Sequence, residues 1–183
     1  MDSTTAPAHW VIDSHHSEIG FKVKHLVIST TTGKFKDFSG SIETVNTDFT
    51  GATIRFSAKT DSIDTASDYR DTHLKSAEFF DSANFPEISF ESTEFIKVDE
   101  EDYHLKGNLT IKGVTKAVQL EVDHFGTTKD PFSGKTKAGF EINGKIKRKD
   151  FGLTWDVLTE AGGAVVSDEV KLHIHVEADK VEG

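Results

Sequence analysis

Residues able to do chemistry gather at three places along the chain. Arg70-Asp71-x-His73 brings a cation, a carboxylate and an imidazole within four positions, the parts of an acid–base or anion-binding site. His173-x-His175 sets two imidazoles at i and i+2, which on a strand share a face and could chelate one ion. His15-His16 is a second pair. Around them the familiar catalytic patterns are missing: there is no nucleophile elbow, no HExxH and no phosphate-cradling glycine loop. The chain has no cysteine, which excludes thiol catalysis, disulfide frameworks, zinc fingers and iron–sulfur ligation. An Asp–His pair needs the carboxylate to reach the ring, yet close neighbours on a helix point apart. His173 and His175 carry the outward parity of their strand, beside Lys171 and Glu169, so solvation rather than a metal is expected there. No catalytic residue, metal or cofactor is expected, and the chain reads as a binding protein rather than an enzyme.

The elements that position these groups follow from composition and period. At 183 residues the chain suits one domain, and its net charge of −10 argues against a nucleic-acid surface. No apolar run is long enough to span a membrane as a helix. There are 14 Phe but only 8 Leu, and Val, Ile and Thr make up 46 residues, a bias toward pleated surfaces. Met1–Ala8 is small and polar, with neither a basic start nor an apolar core, and reads as a disordered tail ahead of a domain over 9–180. The chain as numbered is expected in the cytoplasm, or in the periplasm or outside the cell if Met1 is an engineered start.

Ile19, Phe21, Val23, His25 and Val27 alternate with polar residues as a half-buried strand. Gly33, Phe35, Phe38, Gly40 and Ile42 follow, with a bulge expected between Phe35 and Phe38 so that both rings turn inward. Thr53–Thr60 gives a third strand. From Thr65 to Phe80 the period becomes helical, with Ala66, Tyr69, Arg70, His73, Leu74, Ala77 and Phe80 on one stripe and Thr65 as the cap. Five more strands are expected at 87–98, 103–112, 114–125, 135–149 and 168–179, with Lys112-Gly113 as a tight turn. The resulting fold is mainly β: an eight-stranded antiparallel up-and-down barrel with one helix inserted after the third strand.

Such a barrel is either plugged by its own side chains or holds a small ligand. Gly107 and Gly144 on inward parity, and the many flat Phe rings, favour a cavity. Its expected wall comprises Phe21, Val23, Phe35, Phe38, Ile42, Phe56, Ala58, Phe90, Leu109, Leu120, Phe140 and Ile142, joined by Tyr69, Leu74 and Phe80 of the helix. His25, His124 and Arg148 share the inward parity, and Arg70 and His73 lie on or beside the helix stripe. An apolar tunnel with such groups at one end suits a long lipid with a polar head. Leu26 and Ile28 form a small outward apolar patch that could pair two subunits.

At this point the motifs resemble a known family. Trp10-x-Ile-Asp13-x-x-His16-Ser17-x-Ile19-x-Phe21-x-x-x-His25, Gly33-x-Phe35-x-x-Phe38-x-Gly40, Arg70-Asp71-x-His73-Leu74, Phe85-Pro86-x-Ile88-x-Phe90 and Arg148-x-Asp150-Phe151-Gly152 are similar, in order and spacing, to those of the YceI-like, polyisoprenoid-binding family. The resemblance runs from residue 10 to about 178. It implies a lipocalin-like barrel with a long internal tunnel that binds isoprenoid chains, such as polyprenyl pyrophosphates or isoprenoid quinones. A carrier or sequestering role follows, with Arg70, His73 and His25, in that order, expected to hold the head group. The alternatives are a structural or stress-related module with a filled barrel, or an enzyme using Arg70, Asp71 and His73 on a lipid-like substrate.

Overall fold

The period-two segments become strands in a computed structural model, which describes residues 6–157 and 165–182. In chain order these are β1 (Ala8–Ile12), β2 (Glu18–His25), β3 (Ser29–Phe35), β4 (Phe38–Thr44), β5 (Thr53–Lys59) and β6 (Ile63–Asp64). The helix α1 (Asp68–Lys75) follows, and then β7 (Glu87–Lys97), β8 (Asp102–Ile111), β9 (Val114–Lys129), β10 (Thr136–Lys147) and β11 (Val166–Lys180).

These strands make a closed, antiparallel, eight-membered barrel, three of whose staves are each built from two segments. The ring runs β1–β4–β5–β7–β8–β9–β10–β11 and closes with β1 on the far end of β11, Trp10 opposite Lys180. The near part of β11 is taken by β2, with Val170 opposite Val23 and Ile174 opposite Ile19. Therefore β1 and β2 are two halves of one stave. In the same way β3 continues the line of β4, pairing with β2 while β4 pairs with β1. A short β6 on β3 continues β5 past a 3-10 turn at Thr60–Ser62. Closure leaves no long edge to template aggregation.

Four local expectations are corrected. No bulge joins Phe35 to Phe38. The strand breaks at Lys36–Asp37 instead, and the second ring leaves the line of the first. The helix is a two-turn segment, Asp68–Lys75, and its cap is Ser67, whose hydroxyl accepts the Arg70 N–H at 3.3 Å. Thr65, expected as the cap, is buried and uses its own N–H and hydroxyl on Asp71. Val27 does not continue the inward row of β2. It sits at the tip of the β2–β3 connection, 72% exposed and with φ of 65°.

The expected turn at Lys112-Gly113 is present, both residues having positive φ (51° and 75°), the twist a two-residue antiparallel connection requires. Of the expected tail, residues 1–5 lie outside the described ones, and Ala8 already belongs to β1. Among the described residues, no helix is long and apolar enough to cross a membrane.

Candidate ligand-binding cavity

Inward side chains do not fill the barrel. They surround a cavity of about 430 Å3, in the range of small-molecule sites. Its wall is aliphatic and aromatic nearly throughout: Phe21, Phe35, Phe56, Phe90, Leu109, Leu120, Phe140 and Ile142 all face it. So do Val23, Ile42, Ala58, Leu74 and Phe80, and at the rim His25, Arg70 and His73. Two expected wall residues are elsewhere. Phe38 does not reach the cavity and packs against Phe56, ring centroids 6.2 Å apart. Tyr69 is 88% exposed, since an eight-residue helix with no buried residue is too short to bury the whole expected stripe.

The glycines work differently from the expectation. A Cβ on Gly107 would collide with the Phe90 ring, one on Gly144 with Leu120, and one on Gly33 with Phe21. These positions add no free volume to the cavity. They let large neighbours lie flat across the sheet and so shape its wall.

One end is closed by aromatic packing. Phe49, from the β4–β5 connection, is 1% exposed and packs edge-on against Phe140 at 5.1 Å. His124 stacks on that same Phe140 ring at 4.8 Å, and Phe95 stacks on Tyr103 at 4.6 Å. The Tyr103 hydroxyl donates to the Asp48 carbonyl, which fixes the loop carrying Phe49. His124, expected among the inward polar groups, thus belongs to the plug and not to the cavity wall. Burial pushes its imidazole below the ordinary value, and its Nε2 has no partner among the described residues.

The other end carries the polar wall residues. Thr65 tethers Arg70: its hydroxyl accepts from Nε at 2.7 Å and its carbonyl from Nη2 at 2.6 Å. The Thr65 hydroxyl in turn donates to Asp71 at 2.5 Å. Among the described residues no salt bridge reaches Arg70 and its Nη1 has no partner, while the residue borders the cavity. His73 lies edge-on to Trp155 at 4.8 Å and to Phe79 at 5.1 Å, and its Nε2 meets Glu78. Asp71 serves Thr65 and His73 serves Glu78, so the Asp–His pair of the enzymatic alternative is not assembled.

Arg148 is another matter. At 3% exposure it donates to the carbonyls of Ser167, Leu153, Trp155 and Val166 at 2.7–3.1 Å, and lies 3.4 Å from Asp156. Four hydrogen bonds and the ion pair make it a clamp for the 149–157 connection. Phe49 and Trp155 escaped the sequence reading because they lie in connections without a period, and Phe79 because it falls off the stripe of the expected helix, which ends at Lys75.

The fold and cavity define the class: a closed antiparallel barrel of lipocalin-like build, plugged at one end and open to polar side chains at the other. The model of the YceI-like domain matches residues 10–178, and the chain belongs to that family. A UPF0312 protein of Enterobacter sp. (strain 638) is 44% identical over 165 residues, covering 90% of this chain and 82% of the relative. Among solved structures, the Campylobacter jejuni YceI protein superposes with a TM-score of 0.74 at 36% identity, covering 93% of this chain and 96% of that one. A polyisoprenoid-binding domain from Saccharophagus degradans has a TM-score of 0.65 at 19% identity, covering 93% and 97%, and shows the fold alone.

Proposed function

We propose that this protein binds a long-chain isoprenoid lipid in its barrel and carries or sequesters it. The observation that carries the reading is the cavity: an almost wholly apolar space, closed at one end, whose polar groups are confined to the rim of the other. The likeness to a structure described as a polyisoprenoid-binding domain supports the same ligand class. Burial of a methylene is worth about 0.8 kcal/mol, so each five-carbon unit contributes several kcal/mol before ordering costs. At a realistic limit of about 0.3 kcal/mol per heavy atom, a forty-carbon tail still reaches roughly −12 kcal/mol, nanomolar binding without help from the head.

Head-group choice then falls to Arg70, His73 and His25. An anionic head needs Arg70 most, because a net charge of −10 repels it elsewhere. A quinone head needs only one or two donors. Binding without chemistry fits the rim, where the two catalytic-type groups are each occupied by another partner.

Native mass spectrometry of freshly purified protein, followed by solvent extraction, tests this. A co-purifying isoprenoid is expected, and Ala58→Phe, which projects a ring from the wall into the cavity, should remove most of it while the protein stays folded. Consistently ligand-free protein that also takes up no added polyprenyl lipid would overturn the reading.

A further inference from the structure

The outer face of the barrel carries a cluster that the cavity does not use. His173 and His175 point outward from β11, and their Nε2 atoms lie 3.0 Å apart. Glu141 stands directly opposite His175 across β10–β11, and Asn143 directly opposite His173. One ligand atom from each of Glu141, His173 and His175 lies within 4.8 Å of the others.

The details favour ligation over simple solvation. The Asn143 Oδ1 lies 2.7 Å from His173 Nδ1, so that nitrogen carries the proton and donates. This is the outer support that metal-bound imidazoles commonly have. Nε2 is left as the acceptor for the His175 Nε2–H, a proton that an ion displaces when both rings ligate. On the other flank His173 faces Gly20, which leaves room beside the ring, while His175 faces the carboxylate-bearing Glu18. Two nitrogens on a tetrahedral zinc, each at about 2.05 Å, are about 3.3 Å apart, so the rings need to open by only a few tenths of an ångström.

A second outward group, Asp13, His16 and Glu177, supplies the contrast. There the Lys137 ammonium already fills the centre, 3.1 Å from Asp13, 3.0 Å from Glu177 and 2.6 Å from Asp179. Among the described residues no lysine or arginine pairs with Glu141, whose ionic neighbour is His173 at 3.7 Å.

We propose that Glu141, His173 and His175 form a surface site for a late first-row divalent ion such as Zn2+, Ni2+ or Cu2+, with Asn143 orienting His173 and water completing the coordination. Imidazole nitrogens with one carboxylate suit these ions and not Mg2+ or Ca2+. The site lies outside the cavity and does not depend on which lipid, if any, the barrel holds.

The test is calorimetric titration of ZnCl2 into chelator-stripped protein carrying no affinity tag. One equivalent is expected to bind. His173→Ala and His175→Ala should each abolish the isotherm, and Asn143→Ala should weaken it about tenfold or more. The double variant His15→Ala/His16→Ala should leave it unchanged. Zinc should also raise the Tm of the parent protein but not of His173→Ala, which shows that the variant is folded and has lost only the ion. Absence of stoichiometric binding, or binding that survives His173→Ala and His175→Ala, would overturn the proposal.

Discussion

Arg70 and Arg148 are two of the three arginines in the chain, and their partners assign them opposite tasks. Arg148 is enclosed by four carbonyls and Asp156, a set of acceptors that no other side chain satisfies. A lysine offers three donors on one atom and cannot span them. Arg148→Lys should therefore cost about 3–5 kcal/mol in denaturant unfolding, close to the loss from Arg148→Met, because both leave buried acceptors and Asp156 unpaired. Among the described residues the Arg70 side chain is held by Thr65 alone, which leaves Nη1 without a partner beside the cavity. For Arg70→Met we expect the stability to change little. Its affinity for a polyprenyl phosphate should fall about tenfold or more, as for a lost charge-assisted hydrogen bond. Affinity for the corresponding uncharged alcohol should be unchanged. Equal losses for both lipids would place the head group away from Arg70.

At the scale of elements, what was legible followed the period. Strands such as β8, with Tyr103, Leu105, Leu109 and Ile111 buried, alternate because one face meets the interior and the other meets water. Most of the cavity wall was legible for the same reason. The breaks were not: Lys36–Asp37 and Asp13–Ser17 are corners where a stave changes partner, and pairing is a property of two segments that neither sequence displays alone. The pairing of Glu141 and Asn143 with the two histidines was hidden in the same way. Phe49 shows the limit most sharply, since it plugs the barrel from an aperiodic loop with φ of 66°, a conformation unfavourable for a large side chain. Phe49→Ala should cost about 3–5 kcal/mol through the void it leaves. Phe49→Gly removes the same ring but relieves the backbone, so it should be no worse than Ala, the reverse of the usual order within folded segments. Chemical denaturation of both variants checks this, and a glycine variant clearly less stable than the alanine one would show that the loop is unstrained.

At the scale of the molecule, 31 acidic residues face 21 basic ones, and the fold arranges many carboxylates so that they hold their charge. Asp48, Asp64, Asp99 and Asp130 are kept below the ordinary 3.8 chiefly by backbone N–H groups in their turns. For Asp13 and Asp156 burial acts in the opposite direction but is outweighed. Hydrogen bonds from His16 and Lys137 do this for Asp13, and backbone N–H groups with Arg148 do it for Asp156. The unfolded chain takes up protons at these groups first, so their stabilisation is present above about pH 4 and is lost as pH falls further. Asp102 runs the other way. Its neighbours Asp123 and then Asp99 push its carboxyl up to about 6. Its contribution is complete below 3.8 and is lost as pH rises through about 6, when the three charges repel. His16, raised by its hydrogen bond to Asp13, adds to that decline at neutral pH. The Tm should therefore fall steeply below about pH 4 and gently above about pH 6. Asp102→Asn keeps the uncharged form at every pH, so it should match the parent protein near pH 4, exceed it at pH 8, and flatten the gentle limb without touching the steep one. Scanning calorimetry of the two proteins across this range decides the matter: a Tm difference that is the same at both ends would mean that Asp102 does not titrate with folding.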